Sequence, residues 1–292
     1  MTYTPNSRTR RAPAVPARAA TGPLLLVLVA LVALAALPAA AQMPSDAVFK
    51  DFVRTGDYIL VVDGKEVPAA EIYMTQRVPT ILILSSALPS PVLLSPRTQG
   101  VETVSVMKIA KQPDGTVDLL ADADPAPQGQ FTIQKDQVVA FTVGGRKAQL
   151  KEKPPLLGLR QAADLRAYSP TYGQGAKAYR PDGEAIAALR RSGKPVTVRV
   201  YFGSWCSFCK RYLPNLLRVE DELKGSKVKI EYFGLPHDMN DPEAKRLKVS
   251  GVPTGIVYVN GKEAGRITGN SWSTPETSLT TILGAAGGAR GR

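Results

Sequence analysis

The chain has 292 residues, a formal net charge of +12, and a composition that is 44% hydrophobic and 21% charged. It contains two cysteines and one histidine, too few for a disulfide framework or for a four-ligand zinc site of the Cys/His kind. Its basic residues do not gather into a patch interleaved with aromatics, so nucleic-acid binding is not expected. No metal and no cofactor is predicted.

The first 41 residues have the pattern of a signal peptide. Four arginines and no acidic residue precede an apolar stretch at residues 24–37, and three alanines at 39–41 offer a cleavage site before Gln42. Removing this leader leaves a net charge of +8 (12 − 4). We therefore predict a periplasmic or secreted protein. The alternative is an uncleaved N-terminal anchor, because the apolar run borders on the ~18 residues that a spanning helix needs.

Residues 42–152 alternate short runs of strand-forming residues with turn signals. This pattern indicates a separate all-β domain, a barrel or a sandwich, of about 110 residues, which is large enough for its own core. No known family is recognised in it. The predicted strands are Tyr58–Val62, Thr80–Ser85, Val92–Ser95, Val101–Ile109, Thr116–Leu120, Phe131–Gln134 and Val138–Val143.

Residues 153–180 are predicted to be a linker, because Pro154-Pro155 opens the segment and Gly and Pro recur through residues 169–175. A short helical stretch is possible around residues 160–166. The domains on either side are expected to be hinged at this linker.

Residues 181–284 follow an α/β order, and residues 285–292 are predicted to be a flexible tail. Asp182 can cap a first helix, and Asn260-Gly261 suits the type I′ turn of a hairpin. The predicted elements are a helix at 182–192, a strand at 195–202, a helix from 206 to about 223, a strand at 227–235, a helix at 242–248, strands at 255–259 and 262–268, and a last helix that starts near 273–276.

Both cysteines lie in the motif Trp205-Cys206-Ser207-Phe208-Cys209, where the predicted strand 195–202 runs into a helix. A thiol at a helix N-terminus meets unsatisfied backbone N–H groups and the positive end of the helix dipole. Both favour the thiolate over the thiol. We therefore predict a redox pair in which Cys206 is the nucleophile and Cys209, deeper in the helix, resolves its mixed disulfide.

The Trp-Cys-x-x-Cys motif and the distant Val252-Pro253 pair together resemble a thioredoxin-fold domain, with the hairpin and final helix in that family's order. The resemblance implies that Pro253 is a cis-proline facing the cysteines and that the Val252 backbone pairs with a substrate chain. Besides the catalytic Cys206 and Cys209, the substrate-binding residues are then expected to be Trp205, Ser207, Phe208, Val252, Pro253 and Thr254.

The expected function is that of an exported thiol-disulfide oxidoreductase, which reduces or exchanges protein disulfides through the Cys206/Cys209 dithiol. Its partners would be protein thiols and disulfides, with a membrane or periplasmic redox partner possible. By analogy with exported isomerases and reductases, the β-rich domain could support a homodimer or partner docking. The alternative function is a scaffold or binding protein, whose β-rich domain docks a partner while Cys206 and Cys209 form an inert bridge.

Two features depart from the family pattern, the residue at position 200 and the dipeptide between the cysteines. Val200 stands where the family often buries an acid that helps to move the second cysteine's proton. Glu231 is a possible substitute proton acceptor if its side chain points toward Cys209. The alternative is that Glu231 lies on the solvent face of a strand near a sheet edge. The Ser207-Phe208 dipeptide offers no cation to stabilise a thiolate, and this predicts a reducing or intermediate potential.

Overall fold

The structure, a computed structural model, describes residues 50–75 and 78–288. The predicted signal peptide lies outside these residues. The described residues form one compact unit. Within the described part of the chain, none of the helices has the length and apolar character needed to cross a membrane.

The region before residue 153 is built from short antiparallel strands. One sheet has the order β1-β4-β5-β6-β7-β10, a second has the order β11-β12-β13-β2-β3, and β8 and β9 form a hairpin. The strands are β1 Val53–Thr55, β2 Tyr58–Val62, β3 Lys65–Glu66, β4 Glu71–Met74, β5 Ile81–Leu84, β6 Val92–Ser95, β7 Gly100–Thr103, β8 Ile109–Lys111, β9 Val117–Leu119, β10 Ala126–Gln130, β11 Thr132–Ile133, β12 Val139–Val143 and β13 Arg146–Glu152.

The two larger sheets share one apolar core and therefore pack face to face. Alternate residues of each strand point to opposite faces, so Ile83 and Leu94 of one sheet meet Leu60 and Leu150 of the other in the buried core. Leu82, on the opposite face of its sheet, joins a second core with residues of the β8–β9 hairpin. The β-rich character predicted for this region is confirmed. Its independence as a separate domain is not, since it belongs to one compact unit with the rest.

The C-terminal region is a five-stranded sheet with helices on both faces. Its strand order is β14-β16-β15-β17-β18, in which β15 and β16 run parallel and the other neighbours are antiparallel. The strands are β14 Gly158–Arg160, β15 Val196–Phe202, β16 Val228–Gly234, β17 Thr254–Val259 and β18 Lys262–Ile267. The helices are α1 Ala162–Tyr168, α2 Pro170–Ala178, α3 Gly183–Arg190, α4 Ser207–Glu222, α5 Pro242–Arg246 and α6 Pro275–Gly288.

From α3 onward, the elements occur in the order that the sequence predicts. The alternating side chains of β15 put Val198 and Val200 into the core against Leu213 and Leu217 of α4, so burial of one apolar face holds the helix against the sheet. On the other face, a smaller core joins β15 and β17 to α5. The last helix continues past residue 284 to Gly288.

The predicted linker is folded, and it forms part of the same core. β14 pairs with β16 at the sheet edge, while Leu165 of α1 and Tyr172 of α2 are fully buried. The Gly and Pro residues have packing roles there. Pro170 occupies the first turn of α2, where proline is tolerated. A Cβ atom at Gly175 would lie 2.6 Å from Cβ of Pro214, so glycine is what allows α2 to approach α4.

Candidate active site

The two cysteines lie at the start of α4, directly after the buried strand β15. Cys206 is the N-cap residue, and its sulfur accepts a hydrogen bond from the Cys209 backbone N–H at 3.4 Å. The turn before it needs glycine, because a Cβ atom at Gly203 would lie 2.5 Å from the Trp205 ring. The chain therefore delivers the Cys206 sulfur to the N–H groups that the first turn of the helix leaves unpaired.

The two thiols have opposite electrostatic environments. Both are free, and Cys206 is 9% exposed whereas Cys209 is 0% exposed. A hydrogen bond from the Cys209 side chain, aided by backbone N–H groups and the Lys210 charge, lowers the pKa of Cys206 to about 6. Burial raises the pKa of Cys209 well above its ordinary value, and the neighbouring Cys206 raises it further. Cys206 is therefore the thiol of the pair that ionises more readily, and Cys209 is held as a thiol.

The pKa of Cys206 gives a pH dependence that can be measured. The group is a thiol below its pKa and a thiolate above it, so its alkylation by iodoacetamide should rise as the pH increases through about 6 and level off near neutrality. The rate should be followed by mass spectrometry, with Cys206→Ser as the control for reaction at Cys209. A midpoint near the ordinary thiol pKa of about 8.5 would contradict this assignment.

The predicted Val252-Pro253 pair faces the nucleophile. Its peptide bond is cis, and the Cys206 thiol lies 3.5 Å from the Val252 carbonyl oxygen. The loop is held by two further hydrogen bonds, from the Thr254 hydroxyl to the Gly251 carbonyl at 2.6 Å and from the Trp272 indole to the Pro253 carbonyl at 2.9 Å. The structure therefore places Val252 and Pro253 beside the cysteines, and the hydrogen bond of Thr254 stabilises their loop.

Ser207 and Phe208, two of the predicted substrate-binding residues, are both exposed. Phe208 is 60% exposed, and its ring stacks on Tyr212 with centroids 6.4 Å apart. Together with the Val252-Pro253 loop, these rings line an open cavity of about 320 Å³. Ser207 lines a second cavity, of about 660 Å³, on the side of the β-rich region.

Trp205 is anchored away from the two cavities. Its indole N–H donates to the Leu235 carbonyl at 3.0 Å, and its ring stacks on His237 with centroids 4.9 Å apart. Among the described residues, no group of three or more His, Cys, Asp and Glu side chains could hold a metal ion. His237 instead lies 3.7 Å from the Glu152 carboxylate.

Glu231 does not reach the cysteines, so it is not the proton acceptor of Cys209, a role that the sequence left possible. Its neighbours Ile230 and Tyr232 point into the core that holds Cys209, and strand alternation therefore sends Glu231 to the opposite face. There it forms ion pairs with Arg199 and Lys229, both at 2.8 Å. Val200 is fully buried in the cysteine core, so the position of the expected acid is apolar.

An ion pair that the sequence does not predict lies beside the cysteines. Lys210, the residue after Cys209, binds the carboxylate of Asp57 at 2.7 Å. The position of Lys210 in the first turn of α4 is a local signal that its charge lies near the cysteines. No local signal links it to Asp57, which lies between β1 and β2 of the β-rich region.

The C-terminal region is a mixed β-sheet flanked by helices, with an ionised cysteine at a helix start and a buried partner thiol. These features define a dithiol redox domain. Comparison with known proteins agrees. The family model described as Thioredoxin matches residues 184–282. The chain is 32% identical over 88 residues to a thioredoxin of Echinococcus granulosus, and the aligned region covers 30% of this chain and 78% of that protein. It is also 32% identical over 78 residues to a thioredoxin of Mycolicibacterium smegmatis, covering 27% of this chain and 68% of that one.

The chain belongs to the thioredoxin family through this C-terminal region. A solved thioredoxin from Nicotiana alata aligns at 20% identity with a TM-score of 0.24, over 34% of this chain and 80% of that one. Family membership supports thiol-disulfide oxidoreductase activity. The family match begins at residue 184, after the β-rich region and after β14, α1 and α2.

Proposed function

We propose that the protein is an exported oxidoreductase that reduces or exchanges disulfides of other proteins. The observation that carries this proposal is the asymmetry of the cysteine pair: an N-capping Cys206 with a lowered pKa, 3.5 Å from the Val252 carbonyl, above a buried Cys209 thiol. Such a pair can form and then release a mixed disulfide. An inert structural bridge needs no such difference between its sulfurs, and the family relationship does not favour the scaffold alternative.

The reaction would proceed by two exchanges. The Cys206 thiolate attacks one sulfur of a substrate disulfide, so that a new S–S bond forms, the substrate S–S bond breaks, and the leaving thiolate takes a proton from solvent. The Cys209 thiol then gives its proton to solvent and attacks the Cys206 sulfur. The Cys206–Cys209 bond forms, the mixed S–S bond breaks, and the second substrate thiolate leaves and takes a proton from solvent. Two electrons pass to the substrate, and the protein is left with a Cys206–Cys209 disulfide. A thiol or dithiol reductant in the same compartment must return them.

The mixed disulfide itself makes the second step easier. In the dithiol form, both burial and the neighbouring Cys206 raise the pKa of Cys209. Once Cys206 is bonded to the substrate, its negative charge is gone and only burial remains. The pKa of Cys209 therefore falls at the stage when Cys209 must act as a nucleophile. This fall assists the loss of the Cys209 proton at a site where the apolar Val200 takes the place of the family's buried acid.

The reduction potential tests the direction of electron flow. A lowered pKa of the nucleophile stabilises the dithiol form and makes the pair more oxidising, but about 6 lies well above the ~3.5 of a strong periplasmic oxidant. We expect a potential between about −270 and −180 mV. Equilibration against glutathione buffers, read by mass spectrometry of the alkylated protein, measures it. A value near −120 mV, typical of strong oxidants, would contradict a reductase or exchange role.

Substrates and location require separate experiments. In the Cys209→Ala variant the mixed disulfide has no resolving thiol, so substrates should be trapped on Cys206 and identified after non-reducing electrophoresis. Export is proposed from the leader pattern of residues 1–41 alone, and the mass of the purified native protein should correspond to a chain that begins at Gln42.

A further inference from the structure

The ion pair between Lys210 and Asp57 joins the β-rich region to the redox site. The Lys210 ammonium and the Asp57 carboxylate lie 2.7 Å apart, and their side chains are only 21% and 27% exposed. Lys210 lies one residue beyond Cys209 in the first turn of α4. Asp57 lies outside residues 184–282, the part matched by the thioredoxin family model, so the pair is a feature of this chain rather than of the matched domain.

Asp57 is held in place by the turn between β1 and β2. Its backbone N–H donates to the Thr55 hydroxyl at 3.2 Å, and its carbonyl accepts from the Lys153 N–H at 2.7 Å. The preceding Gly56 fits against the start of α2 so closely that an added Cβ atom would lie 2.6 Å from the Ser169 Cα atom. Contacts from both sides therefore fix where the Asp57 carboxylate is presented.

Lys210 in turn acts on the nucleophile. Its positive charge favours ionisation of Cys206 and contributes to the lowered pKa of that thiol. A carboxylate at 2.7 Å from the ammonium restrains its position, because opposite charges at such a distance keep their interaction when they are partly buried. The pair also lines the cavity of about 660 Å³ that Ser207 and Phe208 share with β1.

We propose that Asp57 is a positioning residue of the redox site, which limits the reactivity of Cys206 by holding the Lys210 ammonium in the ion pair and so keeping it from moving closer to the Cys206 sulfur. The inference rests on the proposed function, since it assigns part of the tuning of that site to the β-rich region. The β1–β2 turn would then influence the redox properties of the cysteines, although the cysteines lie beside the C-terminal sheet and the turn belongs to the β-rich region.

The test compares Asp57→Asn with wild type by the ultraviolet absorbance of the Cys206 thiolate during a pH titration. Without the carboxylate, the Lys210 ammonium is released from the ion pair and can move toward the Cys206 thiolate, and we expect about threefold more thiolate at pH 5, which corresponds to a pKa change of about half a unit. Lys210→Met should have the opposite effect of similar size. Asp63→Asn is the matched control, because Asp63 lies in the same region but bonds to Arg146 and the Lys147 backbone.

A double-mutant cycle separates action through Lys210 from a direct effect of the Asp57 charge. In the Lys210→Met background, Asp57→Asn should change the thiolate fraction by less than about 1.5-fold, far less than the threefold change expected with Lys210 present. Other charged or titratable groups near the ion pair are Lys153, Tyr58, Tyr168, Tyr172 and Glu152, with Arg54 and Arg211 in the same cavity. All of them are present in every variant compared, so they do not account for a difference between variants.

An unchanged titration in Asp57→Asn, or an equal change with and without Lys210, would overturn the proposal. Asp57→Ser serves as a second variant, and thermal unfolding followed by circular dichroism establishes that each variant is folded. Thiolate absorbance does not depend on turnover of any substrate. A protein that fails to reduce disulfides would therefore refute the proposed function, while the titration would still decide the role of Asp57.

Discussion

Replacing Cys206 with serine is expected to abolish the reduction of insulin disulfides by the purified protein, with a loss of at least about a thousandfold. The Cys206 sulfur is the ionised atom at the start of α4, with a pKa of about 6. A serine hydroxyl at the same position stays protonated and is not a nucleophile for disulfide sulfur. The rate is measured by the turbidity of precipitating insulin chains in the presence of dithiothreitol.

The matched control for this experiment is Cys209→Ser. This variant retains the nucleophile, so it should form one mixed disulfide per molecule with a disulfide-containing protein but should not turn over. Insulin reduction that survives Cys206→Ser would mean that the cysteine pair is not the catalytic group, and it would revive the scaffold interpretation. Loss of the thiol in both variants is small in volume, and similar unfolding midpoints are expected.

Replacing Trp272 with alanine is expected to destabilise the fold by about 3–5 kcal/mol, the usual cost of deleting a buried large aromatic side chain. Trp272 is 0% exposed, and its ring fits so closely against Gly255 that an added Cβ atom there would lie 2.9 Å away. Its indole N–H also donates to the Pro253 carbonyl at 2.9 Å. Urea unfolding followed by circular dichroism measures the loss.

Trp272→Phe separates the packing contribution from the hydrogen bond. Phenylalanine keeps much of the apolar volume but leaves the buried Pro253 carbonyl without its donor, at a cost of about 1–3 kcal/mol. Because that carbonyl belongs to the loop that faces Cys206, both variants should also slow insulin reduction while they are still folded. A loss below about 1.5 kcal/mol in Trp272→Ala would show that the surrounding core can collapse into the space.

The redox site could be predicted from the sequence because its elements are local and specific. The Trp205-to-Cys209 motif follows a strand of β-branched residues, and Val252-Pro253 precedes a hairpin with its own turn signal. Each of these segments carries its conformation in its residue types. The family resemblance then brings the two segments together, which spacing along the chain does not do by itself.

The structural features that the sequence did not predict lack such local signals. β13 is a central strand of its sheet, yet its sequence RKAQLKE is mostly polar, and only Ala148 and Leu150 are buried. The segment 153–180 contains Gly and Pro residues that resemble a linker but serve a close approach between helices. The contact of Asp57 with Lys210 is long-range, so only the folded chain reveals it.

The placement of Glu231 shows a different kind of limit. Strand periodicity indicates that neighbours on β16 face opposite sides of the sheet, but it does not indicate which side holds the cysteines. Tyr232 takes the cysteine side and is fully buried, whereas Glu231 joins Arg199 on the other. A shift of one residue along the strand therefore decides whether a carboxylate faces the cysteines as a proton acceptor or faces Arg199 as an ion-pair partner.

The folding of residues 153–180 into the cysteine core changes where the redox unit begins. β14 completes the edge of the sheet beside β16, and Tyr172 contributes its ring to the same core as Cys209. A fragment cut at residue 181, the boundary that the family pattern suggests, would expose an unpaired strand edge and an apolar face of α4 to water. A fragment that keeps β14, α1 and α2 around the cysteines therefore extends upstream at least to Gly158, and one that also keeps the ion pair of Lys210 includes the β1–β2 turn.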